Sequence, residues 1–272
     1  MSRPENQEPA YLMENCDEAL RLETKTDPEA VKRQASWAGI GSGMRVLDIG
    51  CGCGITTSAL AELVGKSGHV TGLDFSEDRL TIARERFGSD RVDFVCHDIH
   101  TPYQSSQPYD AIWVRFLLEY FHKEQRKIVG NCTAALKVGG IACLADSDNN
   151  SLCHYGQSER LQNTLEDIMG RLMRDFDFDP YAGRRLYDHL YQLGFKNIDC
   201  MIEMHHLIYG ELPEKDAYNW LRKVELTAQK SGCKFEAYGG NYDAFRDEAL
   251  AFMRDPTRFT YTPLVVVRGR KA

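Results

Sequence analysis

Residues 45–64 constrain this chain more than any other stretch. Arg45-Val-Leu-Asp-Ile49 is a short apolar run that breaks into Gly50-Cys51-Gly52-Cys53-Gly54, and Ile55–Val64 follows with the residue types of a helix. That reads as strand, glycine turn, helix. Glycines in such a turn remove side chains where a ligand must approach the backbone, and the start of the helix offers N–H groups with no intrahelical partner. A small, partly anionic ligand is the expected occupant, with a tight turn holding no ligand as the structural alternative. The dinucleotide fingerprint G-x-G-x-x-G needs glycine or alanine at position 55, where the chain has Ile55, so the nicotinamide-dinucleotide reading loses its key residue.

The pattern continues beyond the turn. His69–Asp74, Val92–Cys96, Asp110–Val114 and Ile141–Ala145 read as further strands, with helices over Glu77–Phe87, where Ser76 is the expected N-cap, and Lys123–Leu136, before a Gly139-Gly140 turn. Strands alternating with helices predict an α/β fold with a parallel sheet covered on both faces. After Asp146 the rhythm changes. Gln157–Phe176 is amphipathic and stops at an Asp-rich run ending in Pro180; Gly183–Leu193 reads as helix, Phe195–His206 as strand, Pro213–Met253 as a helical insertion and Thr262–Arg268 as the last strand. The reading is one domain, 1–272. It comprises an N-terminal arm and helix (1–39), a core (40–148) and helical lid insertions (149–182 and 208–258).

Composition then excludes classes. A formal net charge of −7 provides no global positive field for phosphate backbones or anionic lipid, so neither a nucleic-acid nor a membrane partner is expected. The N-terminal residues have no apolar signal-peptide core, and a cytoplasmic location follows as the expectation. Nine cysteines, an odd number with no C-x-x-C pair, argue for reduced thiols, with Cys96, Cys143 and Cys200 expected to be buried in strands.

The run D-x-G-x-G-x-G, with Asp48 two positions before Gly50, resembles the signature of class I S-adenosylmethionine-dependent methyltransferases. Trp113-Val-Arg-Phe-Leu-Leu-Glu-Tyr120 is similar to the segment after the fourth strand in the subgroup that includes ubiquinone and menaquinone methyltransferases. The resemblance implies a doubly wound, Rossmann-like, seven-stranded sheet with its last strand antiparallel, S-adenosyl-L-methionine as cofactor and S-adenosyl-L-homocysteine as product. It places Asp48, Gly50, Gly52 and Gly54 at the cofactor, Asp74 and neighbouring Phe75 at the ribose, Asp98 and Ile99 at the adenine, and Arg115 near the methionine portion. An arm closing over the cofactor would bring Arg21, and Tyr11 beside the methyl group. For Arg115, an ion pair with Glu18 or Glu119 is the structural alternative.

Methyl transfer by in-line displacement needs alignment and exclusion of water, and a hydroxyl or carbon acceptor must also lose a proton. His122 and His154 are the candidate bases. Val114-Arg115-Phe116-Leu117 replaces the [DN]-P-P-[YF] motif of amino-group methyltransferases. Asp148-Asn149 supplies only half of a catechol-type magnesium set, so no metal is expected. The acceptor is expected to be a small organic molecule methylated on O, N or C, with Tyr155, Arg184 and Tyr261 as candidate pocket residues. A protein or RNA acceptor and a non-catalytic nucleoside-binding module are the alternatives, and the appended amphipathic helices admit a homodimer.

Overall fold

A computed structural model describes residues 26–272. Arg45–Ile49 forms β1, paired in parallel with β2 (His69–Asp74) on one side and β4 (Tyr109–Arg115) on the other. β3 (Val92–Cys96) adds outside β2 and β5 (Leu136–Ser147) outside β4, both parallel. β8 (Phe259–Arg270) runs antiparallel between β5 and β7 (Lys196–Tyr209), so the last strand is antiparallel, as expected. The seven strands are joined by an eighth. β6 (His154–Tyr155) pairs with Thr260 and Phe259, along the part of β8 that extends past the end of β5 at Ser147.

The central strands are apolar because both of their faces are covered. Leu47, Ile49, Ile112 and Val114 pack on one face with Ile128 and Val129 of α4 (Gln125–Cys132) and with Leu186 and Leu190 of α6 (Leu186–Gln192). Val46, Ala111, Trp113 and Cys143 pack on the other with Val31 and Ala35 of α1 (Pro28–Ala38) and Ala59 and Leu60 of α2 (Ile55–Val64). Each large apolar side chain buried this way stabilises by roughly 1.5–3 kcal/mol. Local signals set the ends. Asp27 accepts from the Glu29 amide to start α1, and Ser76 accepts from Arg79 N to start α3 (Glu77–Phe87).

Four expectations are corrected. Gly139 and Gly140 do not turn but continue β5, exchanging backbone bonds with Lys271. α4 starts at Gln125, after His122 N and Lys123 N have donated to Asp177, and Thr133–Ala135 closes into a 3₁₀ turn. The span 213–253 divides into α7 (Glu214–Lys230) and α8 (Tyr242–Arg254), because Gly232, Phe235, Gly239 and Gly240 between them adopt positive φ. Cys143 is buried as expected, but Cys96 and Cys200 are exposed, since β3 and β7 are the outermost strands.

α5 (Glu159–Asp175), α7 and α8 bury a further apolar cluster of their own, with Leu161, Ile168, Leu172, Trp220, Phe245 and Phe252 among its members. The sheet meets it through Ile208 of β7 and through the rings of His206 and His154, which pack on Trp220 and Phe252.

Candidate functional site

The strand order reverses at β1 and β4, and in open α/β sheets the crevice outside the strand ends at such a point is where ligands bind. The glycine turn lies there. Gly50 N and Cys51 N both donate to Leu73 O, at 2.8 and 2.9 Å, which folds the loop over the end of β2. Gly50, Gly52 and Gly54 all have left-handed φ, 75°, 54° and 88°, but for different surroundings. A Cβ at Gly54 would come within 2.9 Å of Phe94 and 3.0 Å of Phe87, whereas a Cβ at Gly52 would meet nothing within 4 Å. Gly54 is a packing requirement; Gly52 borders open space. No side chain caps α2, so its first N–H groups face the same region.

Asp48 and Asp74 stand at the ends of β1 and β2, both almost fully buried. Asp48 Oδ2 accepts from Thr57 Oγ1 at 2.6 Å, tying the strand to the first turn of α2. Burial pushes its carboxyl up to about 7, opposed by the Thr57 bond, raised further by Asp74 and lowered by Arg115. Asp74 Oδ2 accepts from Gly52 N at 3.0 Å, while Oδ1 accepts from Ser76 N at 3.0 Å and from Arg79 at 2.9 Å. A carboxylate offers about four lone-pair sites, so three are in use. It can accept both ribose hydroxyls only if Arg79 releases Oδ1. Phe75 is half exposed beside it, with the Arg79 guanidinium 5.2 Å from its ring.

Asp98 lies in the exposed loop after β3, where His100 N and Nδ1 lie 2.9 and 2.7 Å from Oδ1. Partial burial would raise its carboxyl, but the His100 amide and imidazole outweigh this and hold it below the usual range. Ile99 packs against the core cluster that contains Leu47 and Ile49, and its carbonyl accepts from Asn131 Nδ2 at 3.0 Å.

Arg115, ending β4, has a buried Nε that makes no hydrogen bond. Burial draws its guanidinium down to about 10, against the attraction of Asp146 and Asp48. Those are its charged neighbours, together with Asp27 and Glu203. Glu119 is engaged elsewhere: its Oε2 accepts from Ser147 Oγ and Asn150 Nδ2, both at 2.9 Å. Lys223 of α7 donates to Asn150, so a buried polar chain links the ends of β4 and β5 to the appended helices.

The candidate bases lie in different settings. His122 Nδ1 sits 3.1 Å from the fully buried Asp179, which also holds Arg185 and Gln125. His154 has both ring nitrogens occupied, by Thr260 Oγ1 at 2.9 Å and Ser151 O at 3.1 Å, and burial lowers its pKa to about 4. Arg184, a candidate pocket residue, grips both oxygens of Asp148 and also Asn149 Oδ1, so the pair suited to magnesium is clasped by a guanidinium. Among the described residues no group of three or more His, Cys, Asp and Glu side chains is arranged to hold a metal. Tyr155 is largely exposed, and Tyr261 lies partly buried on β8 beside Cys153. Tyr11, Arg21 and Glu18 lie outside the described residues.

Sequence reasoning missed a second pair of histidines. A bulge in β7 between Met204 and His206 inserts one residue, which brings the adjacent His205 and His206 rings within 4.0 Å of each other instead of on opposite faces. His205 lies 4.6 Å from Phe116, which follows Arg115, and His206 lies 5.8 Å from Trp220 of α7. A row of rings thus runs from the end of β4 to the appended helices. Consecutive histidines in a predicted strand were the available signal, but only the bulge makes them neighbours. A cavity of about 580 Å³ lined by Arg45, Thr71, Tyr103 and Tyr109 opens at the other ends of the strands, away from these groups.

Residues 46–140 match the family model described as a methyltransferase domain. The chain is 34% identical over 106 residues to a protein-L-isoaspartate O-methyltransferase of Thermotoga maritima, covering 38% of this chain and 33% of that protein. It is 35% identical over 100 residues to a ubiquinone biosynthesis O-methyltransferase of Coxiella burnetii, covering 36% and 41%. The chain therefore spans a third to two-fifths of the length of these curated relatives. A solved structure from Bacillus halodurans, named only as a candidate methyltransferase, superposes with a TM-score of 0.57 at 18% identity, covering 89% of this chain and 99% of that one. That likeness establishes the shared fold.

Proposed function

We propose that the class I S-adenosylmethionine-dependent methyltransferase domain in this chain transfers a methyl group by in-line displacement to a small organic acceptor, methylated on O, N or C. The observation that carries this reading is the cradle at Gly52: a left-handed glycine bordering open space, its amide fixed by Asp74, above the uncapped start of α2. When bound, S-adenosylmethionine supplies a sulfonium-activated methyl group. The chain's residues bind and orient it. Gly52 lets the nucleoside approach the main chain closely, Asp74 takes the ribose hydroxyls once Arg79 releases Oδ1, Phe75 lies beside it, and Asp98 with Ile99 serves the adenine side.

The acceptor side is the row from Phe116 through His205 and His206 to Trp220, with the helices α5, α7 and α8 acting as a lid that excludes water. An acceptor hydroxyl or carbon acid must lose a proton, and His205 and His206 lie in that row of rings to receive it. Small aromatic or quinol-like acceptors suit a wall of rings. The net charge of −7 gives no support to a nucleic-acid acceptor, and no described helix is long and apolar enough to cross a membrane.

Isothermal titration with S-adenosylhomocysteine tests the cofactor half. Wild type should bind, and Asp74→Ala should bind at least tenfold more weakly, a loss of about 1.4 kcal/mol. An unchanged dissociation constant removes Asp74 from the site, and no binding by wild type overturns the reading. Mass-spectrometric screening of hydroxyl, amine and quinol acceptors then tests transfer.

A further inference from the structure

From the last residues of β5 outward, the β6–β8–β7 sheet continues with one face against the appended helices and a row of exposed apolar side chains on the other. The register places Ile202 opposite Val265, Met204 opposite Pro263, Leu207 opposite Tyr261, and Tyr209 opposite Phe259, with Tyr155 on the far side of Phe259. Tyr155, Ile202, Met204, Leu207, Tyr209 and Phe259 are all exposed, from 42% for Phe259 to 73% for Tyr155. Tyr209 and Phe259 stack at 6.3 Å. The bulge after Met204 preserves the pattern, keeping Leu207 and Tyr209 on the same face as Ile202 and Met204.

We infer that this face is the interface of a homodimer, in which two copies pack sheet against sheet across a twofold axis. Three observations choose a second copy as the occupant. Large side chains present roughly 150–250 Å² each, so six at these exposures offer on the order of 600–800 Å², more than an ordinary monomer surface patch and about one partner's share of a stable interface. The face has no charged side chain between Cys200 and Tyr209, since Glu203 points to the opposite face, where Arg33 and Gln34 bind it. An uncharged apolar face is complementary to itself, as an isologous contact requires. The same lack of cations, with a net charge of −7, argues against an anionic lipid surface as the occupant. Two bulges in β7, at 196–199 and 204–206, interrupt its outer edge and favour packing through the face over edge-to-edge pairing.

The inference rests on neither the cofactor nor the acceptor, so its failure is distinct from failure of the methyltransferase reading. Sedimentation velocity of the full chain should give about twice the 31.0 kDa chain mass. The double substitution Leu207→Glu with Tyr209→Glu, and separately Tyr155→Glu, should give monomers whose circular dichroism matches wild type. Hydroxyl-radical oxidation of Met204 in wild type should rise on dilution as the dimer dissociates, which reads the interface without any substitution. A wild-type monomer at every concentration, charged variants that stay dimeric, or Met204 oxidation independent of dilution overturns the inference. So does flotation of wild type, but not the variants, with phosphatidylcholine–phosphatidylglycerol vesicles, which would assign the face to lipid.

Discussion

Gly52 and Gly54 share a backbone conformation and a motif but answer to different constraints, and substitution should separate them. Alanine at Gly54 takes on left-handed strain and forces Cβ against Phe94, Phe87 and Ala83, so Gly54→Ala should lose about 3 kcal/mol of stability. Gly52→Ala meets open space and should lose only about 1 kcal/mol, the cost of the φ alone. Urea unfolding and cofactor titration on both variants check this. The expected result is a fold defect at position 54 and a binding defect at position 52; equal loss of stability would place protein, not ligand, over Gly52. Asp48 makes a second prediction. Its carboxyl is raised from an unfolded value near 4 to about 7, so the folded state holds its proton more tightly. The associated stability is full below about pH 4 and is lost as pH rises through 7, on the order of 2–4 kcal/mol. Asn at this position can still accept from Thr57, so Asp48→Asn should be less sensitive to pH between 5 and 8 in urea unfolding. A slope equal to wild type's would mean that Asp48 is ionised throughout.

At the scale of elements, β1, β2, β3, α2 and α3 have the bounds the sequence implies, because each is a local object: an apolar strand, a glycine turn or a Ser76 cap decides it within a few residues. Where a distant partner sets an end, the sequence was less legible. β5 runs through Gly139 and Gly140 because Lys271, at the far end of the chain, bonds them. α4 starts late because Asp177 takes the preceding amides. The same distinction holds in the site. The glycine turn and Asp74 could be read from spacing, whereas Arg79 on Asp74, Arg184 on Asp148 and the convergence of His205 with Phe116 depend on rotamers, long-range packing and one bulge. Consecutive histidines carry no alternation signal, so nothing local distinguishes them from a solvated strand face.

For the molecule as a whole, the division between a sheet layer and an appended helical cluster predicts how damage should spread. Phe245 is fully buried in the appended cluster, in contact with Phe235, Tyr238 and Tyr242, and outside both sheet cores. Phe245→Ala removes that ring and leaves a cavity, at a cost of about 3–5 kcal/mol. The cluster meets the sheet through Asn150 and Lys223, through Ile208, and through the rings of His154 and His206 on Trp220 and Phe252, whereas the ring partners of Phe245 all lie inside the cluster, so this loss should be felt mainly within α5, α7 and α8. Hydrogen exchange should therefore show faster opening across residues 159–175 and 214–254, with β1, β2 and β4 unchanged. On the proposed function, S-adenosylhomocysteine affinity should hold near wild type while methyl transfer to any acceptor falls, because helices proposed to act as a lid would no longer exclude water from the reacting atoms. Equal loss of protection in β1 and in the appended helices, or loss of cofactor binding along with transfer, would mean that the two layers fold as a single cooperative unit and that the helices support the cofactor as directly as they do the acceptor.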